Sequence, residues 1–157
     1  MTIALTQLYF NYYLNGEKTV AYMNQERKAT IAKQLKPVLA KYGVKGSLAV
    51  HNHSTIELTL KSGLLDFIGD RIEEPNAPLR NGREALRAEY ALQVNPYWYH
   101  EHFTGKSKQF LTEVFDALRA ANWYDNSDAR SDYFDTAYYI NVNVGKRWPH
   151  IPYILTK

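Results

Sequence analysis

The sequence predicts an α+β fold in which helices cover one face of a small antiparallel sheet. Two segments, residues 24–42 and 106–121, repeat their apolar residues at the spacing of an amphipathic helix. Three shorter segments, 47–52, 55–60 and 137–144, alternate apolar and polar residues as half-buried strands do. The resulting order of helix, strand, strand, helix, strand favours two layers, with one face of the sheet on the core and the other in water.

The N-terminal segment, residues 1–23, contains two apolar and aromatic runs joined by Asn15-Gly16. Asn-Gly favours a type I′ turn because both of its positions need positive φ, so we expect a β-hairpin arm. A helix running from Leu5 to Tyr12 is the alternative. The hairpin would offer a free strand edge to a second copy of the chain, which makes a homodimer feasible.

Residues 24–42 are predicted to form the first helix. Asn24 is a suitable N-cap, because its side chain can accept from a free amide of the first turn. Gly43 is suited to end the helix in a left-handed conformation. Pro37 lies inside the pattern and is expected to kink or split the helix near that point. One apolar stripe follows the helix: Ile31, Leu35, Val38, Leu39 and Tyr42.

Residues 47–52 and 55–60 are predicted to pair as an antiparallel hairpin, because only a short polar Asn-His-Ser segment separates them. The sheet face away from the helices is then polar. A solvated surface is the simpler interpretation of that face and a binding surface is the alternative. Its expected members are His51, His53, Thr55, Glu57, Thr59, Asn141 and Asn143.

The middle of the chain has weaker patterns. Residues 66–83 hold glycines and prolines with little periodicity and are predicted to form a long loop, a kind of segment that often has a function. Residues 84–94 are expected to form a short element. The second helix, 106–121, is the clearest of the chain, and Asn122 can close it. The last strand, 137–144, alternates most regularly.

Composition limits the classes of function. At 157 residues, the chain is expected to form one domain over residues 1–157. It has no cysteine, which excludes disulfides and thiolate metal sites. The net charge of +3 is below that of a dedicated nucleic-acid binder. No signal peptide or membrane span is recognisable, so we expect a cytoplasmic protein. No cofactor signature is complete, and no cofactor is predicted.

Two groups of side chains are candidates for binding. The first helix carries several cations opposed within it by Glu26, and such a face can follow a phosphate backbone or meet an acidic partner. Several aromatic residues stand at the ends of elements, where they can stack on bases or form hot spots. A solvated helix and the closure of a small core are the simpler interpretations. The candidate binding residues are Arg27, Lys28, Lys33, Lys36, Tyr97, Trp98 and Trp148.

An acidic cluster is the best candidate for chemistry. Four aspartates lie within eleven residues: Asp125, Asp128, Asp132 and Asp135. Carboxylates can hold Mg²⁺ or Ca²⁺, and His51 or His53 could serve as a general base beside such a metal. His51 and His53 would also point the same way if both lay on a strand. The favoured interpretation is structural, with the aspartates forming turns and caps between helix and strand.

The residue pattern resembles a family. The matching segments read KYGVKGSLAVHNHSTIELTLKSGLLDFI and SDYFDTAYYINVNVGKRWPHIPY. They are similar to proteins of unknown activity from bacteriophages and mobile genetic elements, which resemble domains attached to large polyvalent proteins. The resemblance spans residues 24–153. It brings no established activity and no catalytic residue, but it implies expression in the cytoplasm of a bacterial host, near replication, modification or counter-defence functions.

Two hypotheses follow. The first is a phage or mobile-element binding module that blocks a host-defence complex, as an anti-CRISPR-like inhibitor does, or that accompanies nucleic acid. Its partner would be a host or phage protein complex, or a nucleic acid. A DNA-mimicking inhibitor would need an acidic surface, which this basic chain lacks. The alternative is a metal-dependent phosphoester hydrolase built on the acidic cluster and a histidine.

Overall fold

A computed structural model describes residues 20–72 and 91–157. Within this part the chain has three helices and five strands: α1 (Gln25–Tyr42), β1 (Val44–His51), β2 (Thr55–Gly63), β3 (Leu92–Val94), α2 (Tyr99–His102), α3 (Gly105–Leu118), β4 (Tyr139–Val144) and β5 (Ile154–Leu155). The α+β class is therefore confirmed. The predicted N-terminal hairpin falls almost wholly outside the described residues, as do residues 73–83 of the predicted loop and most of the short element after it.

Helix α1 begins and ends where the sequence predicts. The Asn24 side chain accepts a hydrogen bond from the Arg27 amide at 2.8 Å, and Gly43 adopts a φ of 65° at the C-terminal end. A kink or a split was predicted near Pro37, and the helix continues through this residue without a split. Pro37 and Lys33 are both exposed, and water can therefore bond the Lys33 carbonyl that lacks its usual amide donor.

Strands β1 and β2 form the predicted antiparallel hairpin. Val50 lies opposite Ile56, and His51 lies opposite Thr55 at the closing end. The connecting turn contains Asn52 and His53, whose φ values of 52° and 54° are left-handed. Short polar residues of this kind tolerate that conformation.

The sheet is mixed, whereas the sequence predicted an antiparallel one. The strand order is β1-β2-β4-β3, and β1–β2 and β3–β4 are antiparallel, but β4 runs parallel to β2 with Ile56 opposite Ile140. Strand β5 also runs parallel to β2, with Ser62 opposite Ile154, just beyond the end of β4. A parallel pair needs a long crossover, and the chain between β2 and β4 supplies one that contains α3.

Helices α1 and α3 cover one face of this sheet. The predicted stripe of α3 is buried, with Phe110, Leu111 and Val114 fully inaccessible to solvent. These side chains share one core with Ile31 and Leu35 of α1 and with the inward residues of the strands. Helix α3 ends at Leu118, three residues before the predicted end, and Asn122 follows in a left-handed conformation.

The described part of the predicted loop, residues 66–72, is anchored in the core. Phe67 and Ile68 are fully buried. The Asp70 carboxylate accepts from the Ser107 hydroxyl at 2.7 Å and from the Ser107 amide at 3.2 Å, which satisfies an amide at the start of α3. None of the helices formed by residues 20–72 and 91–157 has the length and apolar character needed to cross a membrane.

Candidate functional site

The sheet face that α1 and α3 leave uncovered is polar, as the strand alternation predicts. We call it the open face. Alternate residues of β2 and β4 point inward and are buried, and the residues between them point outward. Register places these outward residues side by side across the sheet. The open face consists of Ser47, Ala49, His51, Thr55, Glu57, Thr59, Gln93, Tyr139, Asn141 and Asn143.

Two histidines were expected to share one strand face, and the structure separates them. His51 ends β1 and its Nε2 lies 3.1 Å from Glu57 Oε1. His53 lies in the following turn with positive φ, so the two histidines do not share a strand. Across residues 20–72 and 91–157, no group of three or more histidine, aspartate and glutamate side chains is placed to hold a metal ion.

One end of the sheet is basic. Because β2 and β4 are parallel, with Leu60 opposite Val144, Lys61 near the end of β2 and Lys146 just after β4 come to the same end of the sheet. Strand β1 runs the other way, which brings Lys45, opposite Ser62, to the same end. Arg147 directly follows Lys146. We call Lys45, Lys61, Lys146 and Arg147 the basic end, and all four side chains are exposed.

A tight loop displays the aromatic residue of the basic end. The Lys146 amide donates to the Ile151 carbonyl at 2.7 Å, and the Ile151 amide donates back at 2.8 Å. This closes residues 146–151 into a loop with Trp148 at its tip, 83% exposed. Trp148 and Arg147 line a cleft of about 350 Å³ together with Glu57, Thr59, Gln93 and Asn143 of the open face. The loop and the open face therefore form one continuous surface.

The opposite end of β4 borders a second cavity, of about 390 Å³. We call it the aromatic pocket. Its lining includes five aromatic residues: Tyr97, Trp123, Phe134, Tyr138 and Tyr139. Its polar side chains include Arg119, Asp125 and Asn141. Tyr139 and Asn141 also belong to the open face, so β4 links the pocket to the basic end.

Two of the four aspartates of the acidic cluster form turns of the kind that the structural interpretation expected. The Asp125 Oδ1 accepts from the Ser127 amide at 3.0 Å, and the Asp128 Oδ1 accepts from the Arg130 amide at 2.9 Å. Both are turns closed by an aspartate side chain. Asp132 adopts a φ of 55°, and Asp135 is buried. The contacts of Asp125 and Asp128 are those of turn formers, and they give the hydrolase hypothesis no geometric support.

Asp125 and Tyr97 have shifted acidities. Burial raises the pKa of Tyr97 to about 12, and its hydrogen bond to Asp125 adds to the increase. Desolvation of Asp125 acts to raise the pKa of this carboxyl, but hydrogen bonds from Ser127 and Tyr97 outweigh it and lower the pKa below its ordinary value. The carboxylate is therefore charged at neutral pH and lies beside the pocket.

The predicted binding residues lie on two different sides of the domain. The Arg27 guanidinium donates to the Tyr22 carbonyl at 2.8 Å and lies near the rings of Tyr22 and Tyr138, which gives it a structural role. Lys28 is half-buried, whereas Lys33 and Lys36 are exposed. Because α1 covers the inner side of the sheet, these two lysines lie away from the open face.

Of the predicted aromatic residues, Tyr97, Trp98 and Trp148 are all exposed, and Tyr97 and Trp148 line the two cavities. Sequence reasoning missed Lys45, Lys61, Lys146 and Arg147, and it also missed Arg119, Phe134 and Tyr139. Strand alternation indicated the outward position of Tyr139. No local pattern could show that the four cations meet at one end of the sheet.

Comparisons of the chain with protein-family models, with curated proteins and with solved structures give no match. The candidate site is therefore defined by its geometry: an open polar face with a basic end at one side and an aromatic pocket at the other.

Proposed function

We propose that this chain is a binding module that acts by contact, and that the basic end of its open face holds single-stranded nucleic acid. The observation that carries the proposal is that strand register brings Lys45 and Lys61 to the end of the sheet from which Lys146, Arg147 and the exposed Trp148 continue, the last three lining one cleft. Cations that follow a phosphate backbone, combined with exposed aromatic rings, are typical of surfaces that bind single strands.

The charge of this surface is uneven. The net charge of the whole chain is only +3, but the basic end brings four cations together. The carboxylate on the open face is that of Glu57, and it lies 3.1 Å from His51 at Oε1. Among residues 20–72 and 91–157, the outward side chains of the strands and of the loop after β4 therefore bring one carboxylate and four cations to this surface, a balance that attracts a phosphate chain.

The chemistry along β4 suits bases that are not paired. The outward side chains from Tyr139 to Asn143 extend about 13 Å at the usual rise of a strand. Tyr139 offers a ring on which a base can stack, and Asn141 and Asn143 offer amides that can bond the edge of a base. In a paired duplex, the Watson–Crick edges of the bases are paired and their faces are stacked. A single strand leaves both free to contact this face.

A module that binds single-stranded nucleic acid is compatible with the resemblance to phage and mobile-element proteins. Such a module would accompany a displaced strand or a guide strand in the cytoplasm of the bacterial host. It would interfere with a host-defence nucleoprotein complex by competing for that strand, which fits a mildly basic chain better than mimicry of DNA does.

The test is a titration of a fluorescein-labelled single-stranded oligonucleotide, followed by anisotropy. Two double variants lose the same charge: Lys146→Ala with Arg147→Ala at the basic end, and Lys33→Ala with Lys36→Ala on α1. We expect the first pair to weaken binding about tenfold or more and the second to change it little. Trp148→Ala should weaken binding by about 1–3 kcal/mol through lost stacking.

The results of these titrations distinguish binding of nucleic acid at the basic end from a dependence on net charge and from a protein partner. Equal losses in both pairs would show that binding follows net charge rather than this surface, and the proposal would fail. Failure of the wild-type chain to bind any strand would also overturn it. In that case the exposed aromatic residues would be examined for a protein partner, by testing Trp148→Ala against a purified host-defence complex.

A further inference from the structure

Arg119 carries a charge that the described residues leave unbalanced. Its guanidinium lies 5.6 Å from the ring centre of Phe115 and 5.1 Å from that of Trp123. Its Nε is buried and has no hydrogen-bond partner among residues 20–72 and 91–157. The ion pairs found in that part of the chain join other residues. A half-buried cation that lies on aromatic rings and forms no ion pair with a described carboxylate can bind an anion.

Arg119 lines the aromatic pocket, whose volume of about 390 Å³ is that of a small-molecule site. Phe134 forms part of the wall and is 63% exposed. An exposed ring beside a cavity can offer a stacking surface to a planar ligand. The Trp123 ring is held in place because its Nε1 donates to the Tyr138 carbonyl at 3.0 Å.

The pocket also contains groups that recognise a base. Asn141 offers an amide donor and acceptor from the open face. Both Asp125 oxygens already accept hydrogen bonds, one from Tyr97 and one from Ser127, and each retains a lone pair that can accept from an amino group. Because this carboxylate also repels negative charge, the pocket suits a ligand with one phosphate better than a polyphosphate.

We infer that the aromatic pocket binds one nucleotide, with the base among the aromatic walls and a single phosphate on the Arg119 guanidinium. The nucleotide can be free or can be the phosphorylated end of a strand, since both present the same ring and phosphate. The inference goes beyond the contact at the basic end and stands without it, because a free nucleotide would occupy the pocket whether or not Lys146 and Arg147 hold a strand.

The test measures binding of adenosine, cytidine, guanosine and uridine 5′-monophosphates by calorimetry, with the four unphosphorylated nucleosides as matched ligands. Arg119→Gln should weaken binding of the preferred monophosphate about tenfold or more, since it removes a charge-assisted contact. It should leave binding of the nucleoside unchanged. Phe134→Ala should weaken both ligands, because it removes a stacking surface and leaves the phosphate contact in place.

Absence of binding of every monophosphate by the wild-type chain would overturn the inference, and so would equal binding by Arg119→Gln. Phe134 is exposed, so Phe134→Ala keeps the test decisive even if Arg119→Gln proves unstable. Oligonucleotides with and without a 5′ or 3′ terminal phosphate then compete against the monophosphate. Competition that depends on the terminal phosphate assigns the pocket to a strand end, and its absence assigns the pocket to free nucleotides.

The two binding proposals fail separately. The Lys146→Ala and Arg147→Ala double variant should lose affinity for the unphosphorylated oligonucleotide and keep its affinity for the monophosphate. Arg119→Gln should show the reverse pattern. Loss of both activities in both variants would contradict the assignment of two distinct sites.

Discussion

The Tyr97 hydroxyl donates a hydrogen bond to Asp125 Oδ2 across 2.6 Å and joins the loop before α2 to the loop after α3. The two residues lie 28 positions apart in the sequence. The bond fixes one wall of the aromatic pocket. It also holds the Asp125 carboxylate in a direction set by both Tyr97 and Ser127. Acidity, stability and the shape of the pocket are therefore linked at this pair.

Asp125→Asn should make stability less sensitive to acid. The folded-state pKa of Asp125 lies below its ordinary value of 3.8, so the carboxylate stabilises the fold above that pH. This contribution is lost as the pH falls through the lowered folded-state pKa. We expect urea unfolding to show a shallower loss of stability in acid for the variant, with Asp116→Asn as an exposed control. If the free energy of unfolding fell equally with decreasing pH in the wild type and in Asp125→Asn, the lowered pKa of Asp125 would be contradicted.

Tyr97→Phe should remove a stabilising contribution at the alkaline end. Burial raises the folded-state pKa of Tyr97 from 10.0 to about 12, so the neutral hydroxyl stabilises the fold below the ordinary pKa. That contribution is lost as the pH rises from 10.0 toward about 12. Spectroscopic titration of tyrosine absorbance should show one fewer late-titrating group in Tyr97→Phe.

Tyr138→Phe should destabilise the fold while Tyr139→Phe should not. Tyr138 is fully buried, and its hydroxyl donates to the Leu118 carbonyl at 2.6 Å, near the end of α3. Removing the hydroxyl leaves that buried carbonyl without this donor, at a cost of about 1–3 kcal/mol in the free energy of unfolding. The adjacent Tyr139 is 49% exposed and serves as the matched control. Equal stability of the two variants in urea would be inconsistent with this geometry.

Asn24→Ala should lower the free energy of unfolding by about 1 kcal/mol, because the Arg27 amide loses the side-chain acceptor that caps α1. Asn24→Asp retains an acceptor and adds a charge that suits the start of a helix, so it should stay close to the wild type. Chemical denaturation with circular dichroism checks both variants. A stable alanine variant would show that the cap contributes nothing.

The salt dependence of the binding affinity should change when cations of the basic end are removed. Binding of a single strand releases about 0.7 counterions for each phosphate that a cation neutralises. Loss of both Lys146 and Arg147 should therefore reduce the slope of log affinity against log salt by about 1.4. The Lys33→Ala and Lys36→Ala double variant should keep the wild-type slope. An equal reduction of the slope in both double variants would show that the nucleic acid binds elsewhere.

Addition of Mg²⁺ or Ca²⁺ should leave the melting temperature unchanged, because Asp125 and Asp128 are engaged in turns rather than facing a common centre. A cation that bound only the folded state would raise the free energy of unfolding by RT ln(1 + L/Kd), where L is the free cation concentration, and this term grows with the logarithm of L once the site is saturated. A metal-dependent rise that disappears in Asp125→Asn and Asp128→Asn would revive the hydrolase hypothesis. Assay of a phosphoester substrate would then follow.

Local patterns predicted most of the elements correctly. The cap at Asn24, the left-handed Gly43 and the buried stripe of α3 each depend on residues within a few positions of one another, and all three match the structure. Of the kink or split predicted near Pro37, the split does not occur, and the affected turn faces water. Prediction of the site was weaker, because Arg27 proved structural and Arg119 was missed.

By itself, the sequence determined the class of the fold, the two long helices, the strands β1, β2 and β4, and the polar character of the open face. These depend on the periodicity of apolar residues, which is a local property of the chain. Only the tertiary structure decided that β4 runs parallel to β2, which brings Lys61 and Lys146 to one end of the sheet. It also placed Arg119 and Tyr139 around one cavity. Alternation gives the face of a strand but neither its neighbour nor its direction, because pairing is settled by packing between distant segments.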